Sequence, residues 1–163
     1  MRKRSFILAS TVALFSLVAL TAYNPAPAGP SANGQGGLMI GDRLQQFSFH
    51  ANTANDGSVS GSFEIKSPSQ DLRLHGTISC LSVLPDGKTA FLSGVITQRV
   101  GDGFPGDYNV GDHVYFEVQD NGEGNAADAD RFSDLYTSGA TEFCGPYSIG
   151  TQAIVNGNIQ VKP

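Results

Sequence analysis

Apolar and polar positions alternate with period two along much of the chain. Phe47, Phe49 and Ala51 alternate with Ser48 and His50, and Asn55-Asp56-Gly57 then supplies a tight-turn signal. Val59, Gly61, Phe63 and Ile65 next alternate with Ser60, Ser62, Glu64 and Lys66. The pattern predicts a hairpin with one buried and one wet face. Ser67-Pro68-Ser69-Gln70 interrupts it. The following run sets Leu72, Leu74, Gly76, Ile78 and Cys80 against Arg73, His75, Thr77 and Ser79, which assigns Cys80 to the core side.

Pro85-Asp86-Gly87-Lys88 reads as a further turn, and Thr89 to Arg99 as a strand rich in β-branched and aromatic residues. Gly101 to Asp107 reads as a long loop. From His113 to Gln119 the inward positions are Val114, Phe116 and Val118. Asp120 to Asp130 is polar and predicts a loop. Phe132 and Leu135 are spaced i, i+3, so one or two helical turns are expected over residues 128–136. A last strand is expected from about Asn158 to Val161.

Six or seven short strands with almost no helix define an all-β protein. Clean alternation excludes a parallel sheet buried on both faces. The expected form is a small antiparallel β-barrel-like domain, with a β-sandwich as the alternative. In the barrel the last strand pairs with the first and hides both edges.

The N-terminus follows a different pattern. Met1-Arg2-Lys3-Arg4 is positive, Phe6 to Leu20 is apolar, and Ala26-Pro27-Ala28 has the A-x-A form. This is the order of a secretory signal, with cleavage expected after Ala28 and after Ala22 as the runner-up. The apolar run of 15 residues is short for a membrane-spanning helix. Residues 29–37 are small and Gly-rich, which predicts a flexible leader before a single domain over 38–163.

Removing residues 1–28 leaves seven Lys and Arg against fifteen Asp and Glu, so the formal charge moves from −5 to −8. That balance argues against nucleic acid and anionic membrane surfaces as partners. It also changes the reading of Cys80 and Cys144, the 2 cysteines. In an exported protein an even count reads as a disulfide. Neither belongs to a C-x-x-C motif or sits beside a histidine, which disfavours a catalytic thiol.

Thr77-Ile78-Ser79-Cys80-Leu81, Ser93-Gly94-Val95-Ile96-Thr97, Asp120-Asn121-Gly122-Glu123-Gly124, Phe143-Cys144 and the terminal Gly157 to Val161 together resemble a family of small exported bacterial proteins. The resemblance covers roughly residues 47–161. The family carries no assigned activity, so it implies no catalytic residue. It supports pairing Cys80 with Cys144, since both lie in shared segments.

The acidic loop offers candidate calcium ligands in Asp120, Glu123, Asp128 and Asp130. The EF-hand pattern fails there, because Gly122 and Gly124 occupy the third and fifth positions. No other cofactor is indicated. Gly101, Gly103 and Gly106 match G-x-G-x-x-G by letter, but no helix is expected after them, as dinucleotide binding requires. His50, His75 and His113 could converge on zinc only if their strands adjoin, and no short ligand spacing links them. Glu64, Glu117 and Asp71 are candidates for a glycosidase-type carboxylate pair. Gly57-Ser58-Val59-Ser60-Gly61 is not a nucleophile elbow, because Ser60 falls mid-strand.

Two functional classes follow. One is a secreted, non-catalytic β-domain with a binding or structural role. The other is a small extracytoplasmic hydrolase or isomerase, or an apolar-ligand carrier, working from the barrel interior. The class turns on where His50, His75 and Glu64 point and on whether the interior is filled.

Overall fold

A strand begins where the composition indicates a flexible leader. In the computed structural model, which describes residues 29–103, 108–124, 127–145 and 149–163, β1 (Ser31–Ile40) pairs with strands on both sides. The expectation of a leader over 29–37 is therefore corrected. The glycines are not a sign of looseness. A Cβ on Gly34 would lie 2.8 Å from both the Phe49 ring and Ile159 Cγ1. The position is small because core groups pack directly on it, while Ala32 and Leu38 are completely buried on the same strand. The segment read as an export signal, 1–28, lies outside the described residues.

The next strands are β2 (Arg43–Thr53), β3 (Val59–Ser67), β4 (Leu72–Val83), β5 (Thr89–Val100) and β6 (His113–Gln119). They form an antiparallel meander. The turns have the chemistry their residues predict. Asp56 Oδ1 accepts the Ser58 N–H beside Gly57 at φ 82°. Asp86 Oδ1 accepts the N–H groups of Lys88 and Thr89. Pro68–Gln70 is a 3₁₀ turn closed by Asp71 in the left-handed region at φ 47°.

β7 (Arg131–Phe132) and β8 (Tyr136–Gly139) both pair with β6. The expected helical turns over 128–136 are thus replaced by two short strands. Ladder bonds to β6, and the Ser133 N–H donating to Glu117 O at 2.8 Å, outweigh the weak local preference. Phe132 and Leu135 are both buried, as their spacing suggests, but Phe132 lies in β7 and Leu135 in the link to β8. β9 (Gln152–Ala153) pairs with β7, and β10 (Asn156–Lys162) pairs with β1 from Ser31↔Lys162 to Gly37↔Asn156.

The strand order is β10-β1-β2-β3-β4-β5-β6-β7-β9, a single antiparallel sheet curled into a half-barrel. The last strand does pair with the first. Its other edge is met by side chains. Asp130 Oδ2 accepts the Ile159 N–H at 2.7 Å, and Asp120 Oδ2 accepts the Val161 N–H at 3.1 Å. Inside the curl, Phe47 stacks on Phe132 with centroids 4.2 Å apart, and Phe132 stacks on Phe116 at 5.2 Å. Phe49 and Phe63 meet Phe116 edge-on. Five rings therefore fill the middle of the interior.

Cys80 and Cys144 form the expected disulfide, with Cα atoms 5.8 Å apart. The face expected for Cys80 needs correction. The ladder between β4 and β5 slips between Ile78 and Cys80, so Ile78 opposes Gly94 while Cys80 opposes Ser93. A bulge of this kind inserts one residue and reverses the alternation beyond it. Ser93 in turn opposes Tyr115, on the face of β6 away from Phe116. Cys80 is buried on the outside of the barrel, under the segment that carries Cys144.

Candidate functional site

The outer face of β10, β1, β2, β3 and β4 carries a continuous set of amides, hydroxyls and imidazoles. Strand register aligns them in rows. One row runs Gln160, Asn33, His50, Ser62 and Thr77, and the next runs Asn158, Gln35, Ser48, Glu64 and His75. The rows follow from period two. With Ala32, Phe47, Phe49, Phe63 and Leu74 turned inward, their neighbours must face out. Apart from Thr77, the rows line an open groove of about 510 Å³. A second groove of about 360 Å³ shares Gln35, Ser48 and Glu64 with the first and continues toward Gln46, Lys66 and Asn156. From Asn33 to Gly36 this trough runs about 10 Å along β1.

Glu64 is the electrostatic centre of the trough. Its carboxylate lies 2.6 Å from Lys66 Nζ, from Arg73 Nη2 and from His75 Nε2. The Lys66 hydrogen bond is the largest influence; burial opposes it, and the bond and charge of Arg73 add to it, so the pKa is held down to about 2. A carboxylate held so far into its ionised form is a poor proton donor at neutral pH. His50 Nδ1 lies 3.3 Å from Ser62 Oγ.

The other candidate residues are dispersed. Glu117 lies on β6 and accepts the Ile149 N–H at 3.0 Å, while Asp71 closes the 3₁₀ turn. Glu64, Glu117 and Asp71 therefore do not form a carboxylate pair. His50 and His75 occupy different rows, and His113 lies on β6, beyond β5. Ser60 faces Asn52 on β2, and Ser58 is held in its turn by Asp56. Gly101 lies in a bend at φ 87°, and 104–107 of the Gly-rich loop lie outside the described residues.

The acidic loop closes the half-barrel. Besides their bonds to β10, Asp120 Oδ1 accepts the Gly122 N–H and Asp130 Oδ1 the Asn121 N–H, each at 2.8 Å. Glu123 Oε1 accepts Asn158 Nδ2 at 3.0 Å, and Asp128 is exposed. The four expected calcium ligands thus point to separate tasks. Among the described residues no three His, Cys, Asp or Glu side chains are grouped as a metal site.

A second outer surface lies over β5, β6 and β8. Tyr115 stacks on Phe91 and on Tyr136, with centroids 5.8 and 5.6 Å apart, and Phe143 packs 4.9 Å from Tyr115. The segment carrying Phe143 is fixed by the disulfide and by Ser79 Oγ donating to Glu142 Oε1 at 2.6 Å. Phe91 is buried in this layer, whereas Tyr136 is 39% exposed.

Sequence reasoning did not identify Asn33, Gln35, Asn158 and Gln160 as part of this face. The signal for the first two was present. Ala32 and Leu38 lie six residues apart, an even spacing that puts them on one face, and Asn33 and Gln35 fall on the other. The glycines between them obscured the pattern. Compared with protein-family models, curated proteins and solved structures, the chain matches none. Fold and face together define an all-β domain with a ring-packed core and a polar, open outer trough.

Proposed function

We propose that this protein is an exported, non-catalytic β-domain that binds a hydroxyl-rich polymer, a polysaccharide, along its outer trough. The observation that carries the reading is the pair of cross-strand rows of amides, hydroxyls and imidazoles. Such groups both donate and accept hydrogen bonds, as sugar hydroxyls require. An open trough admits an extended chain, whereas small-molecule sites are typically enclosed. The ring-packed core and the outward positions of His50, His75 and Glu64 favour binding over a hydrolase or isomerase acting at a barrel mouth.

Export is part of the proposal. It rests on the basic, apolar and small-residue order of 1–28 and on a disulfide, which persists in oxidising compartments. Cleavage after Ala28 would start the mature chain at Gly29, immediately before Pro30, whose carbonyl accepts the Thr53 N–H. The acidic balance opposes nucleic acid as a partner.

Co-sedimentation with insoluble cellulose, chitin and peptidoglycan tests the binding role. At least one should deplete the protein from solution. The triple variant Gln35→Ala, His50→Ala, Gln160→Ala should bind at least tenfold more weakly with an unchanged Tm. Failure of all three polymers to deplete the protein, or equal binding by the variant, overturns the reading. The intact mass of protein recovered from the medium tests export, and retention of the full-length chain in the cytoplasm would refute it.

A further inference from the structure

One end of the half-barrel interior is not filled by rings. It holds a cavity of about 120 Å³ walled by Ile65, Leu72, Leu74 and Leu135. Gln45 lines the same cavity. It occupies an inward position of β2, two residues before Phe47, and is 8% exposed. Its Nε2 is buried and meets no hydrogen-bond acceptor. Ser67, Gln70, Tyr108 and Asp134 line the cavity too, but Ser67 bonds Gln70, the Tyr108 hydroxyl donates to Leu135 O and Asp134 Oδ1 accepts the Leu135 N–H. A buried amide donor without a partner costs about 1–3 kcal/mol, so Gln45 calls for an acceptor.

We propose that this cavity is a binding site for a small uncharged molecule, about the size of a six-membered ring, that presents one hydrogen-bond acceptor to Gln45. The volume is close to that of engineered apolar cavities that admit benzene, roughly 150 Å³. The walls supply apolar contact and Gln45 supplies the polar point that orients the ligand. Arg43 and Asp134 both line the cavity and carry opposite charges, which leaves no net charge to select an ion. The neighbouring polar pair is internally matched, with Ser67 Oγ donating to Gln70 Oε1 at 2.9 Å. A water is the rival occupant. It needs two to four polar partners, and of the polar groups here Ser67, Gln70, Tyr108 and Asp134 already bond within the protein, so titration with an organic probe separates the two occupants.

The site lies inside the barrel and is independent of the outer trough, so either proposal can fail alone. The probe is cyclohexanone, with methylcyclohexane as the analogue of similar size that lacks the acceptor. Both are titrated into ¹⁵N-labelled protein. Cyclohexanone should give saturable shifts at the Gln45 side-chain amide and at Leu74 and Leu135. Its Kd should be at least tenfold lower than that of methylcyclohexane. Gln45→Leu should erase this preference while keeping a Tm no lower than the wild type, since it removes an unpartnered donor. Absence of saturable shifts, equal affinity for the two probes, or a Gln45 amide that reports only a bound water overturns the proposal.

Discussion

Asp130 reaches across the free edge of β10, where its Oδ2 accepts the backbone N–H of Ile159 at 2.7 Å. The carboxylate is 5% exposed, and its other oxygen accepts the Asn121 N–H. A side chain here performs the role a neighbouring strand would perform. Asp130→Ala strands both amides and should destabilise the fold by about 2–4 kcal/mol. Asp130→Asn, which keeps one acceptor, should cost less. Urea unfolding measures both, and amide exchange at Ile159 should accelerate in the alanine variant.

Reduction of Cys80–Cys144 should free the segment over β5 and β6 without dissolving the half-barrel, because the bond lies outside the phenylalanine core. A closed loop between residues 64 apart stabilises by about 4 kcal/mol in the chain-entropy model. Cys144→Ser should therefore lower the urea midpoint and weaken the near-ultraviolet signal of Tyr115 and Tyr136. The far-ultraviolet strand signal should persist at low denaturant.

Glu64 makes stability depend on acid pH. Its folded pKa of about 2 lies below the ordinary 4.5. Its contribution is therefore complete above about pH 4.5 and is lost as pH falls toward 2. Solvent screening limits the amount to the order of 1 kcal/mol. Asp56 and Asp86 also have lowered pKa values, through bonds from Ser58 and from Lys88 and Thr89, so the test is a difference. The stability gap between wild type and Glu64→Gln should close across pH 4.5 to 2.

Gly76 has no room for a side chain. A Cβ there would lie 2.1 Å from Phe63 Cε1 and 2.5 Å from Val95 O. Gly76→Ala must displace a core ring beside the bulge between His75 and Gly76, and should cost about 1–3 kcal/mol. The urea midpoint should fall while the slope of the transition stays constant.

How much of this the chain discloses depends on how local the cause is. The strands holding Phe47 to Ala51, Val59 to Ile65 and Val114 to Val118 are visible because alternation and side-chain volume coincide. β1 is concealed because its inward positions at 34 and 36 are glycines, dictated by rings and strands far along the chain. The face of Cys80 depends on a bulge that no residue type announces. The spacing of Phe132 and Leu135 suits a helix and also two short strands joined by an irregular link, and pairing with β6 decides between them. Asp120 and Asp130 stand out as acidic, yet their partners lie 41 and 29 residues away, and only the folded sheet reveals the pairing. The outer trough shares this property, since its rows join strands from both ends of the domain.

The side-by-side placement of β1 and β10 has a consequence for how the chain must acquire its shape. Strands β1 to β6 can assemble hairpin by hairpin as they emerge, each against the one before. β1 keeps one open edge until β10 arrives, and Ser31 meets Lys162 only when nearly the whole chain is present. Contacts across such a separation are slow to form and leave a strand edge uncovered in the interim. A chain threaded across a membrane from its N-terminus would thus spend most of its passage with its first strand unprotected, and would depend on its final residues to become aggregation-resistant.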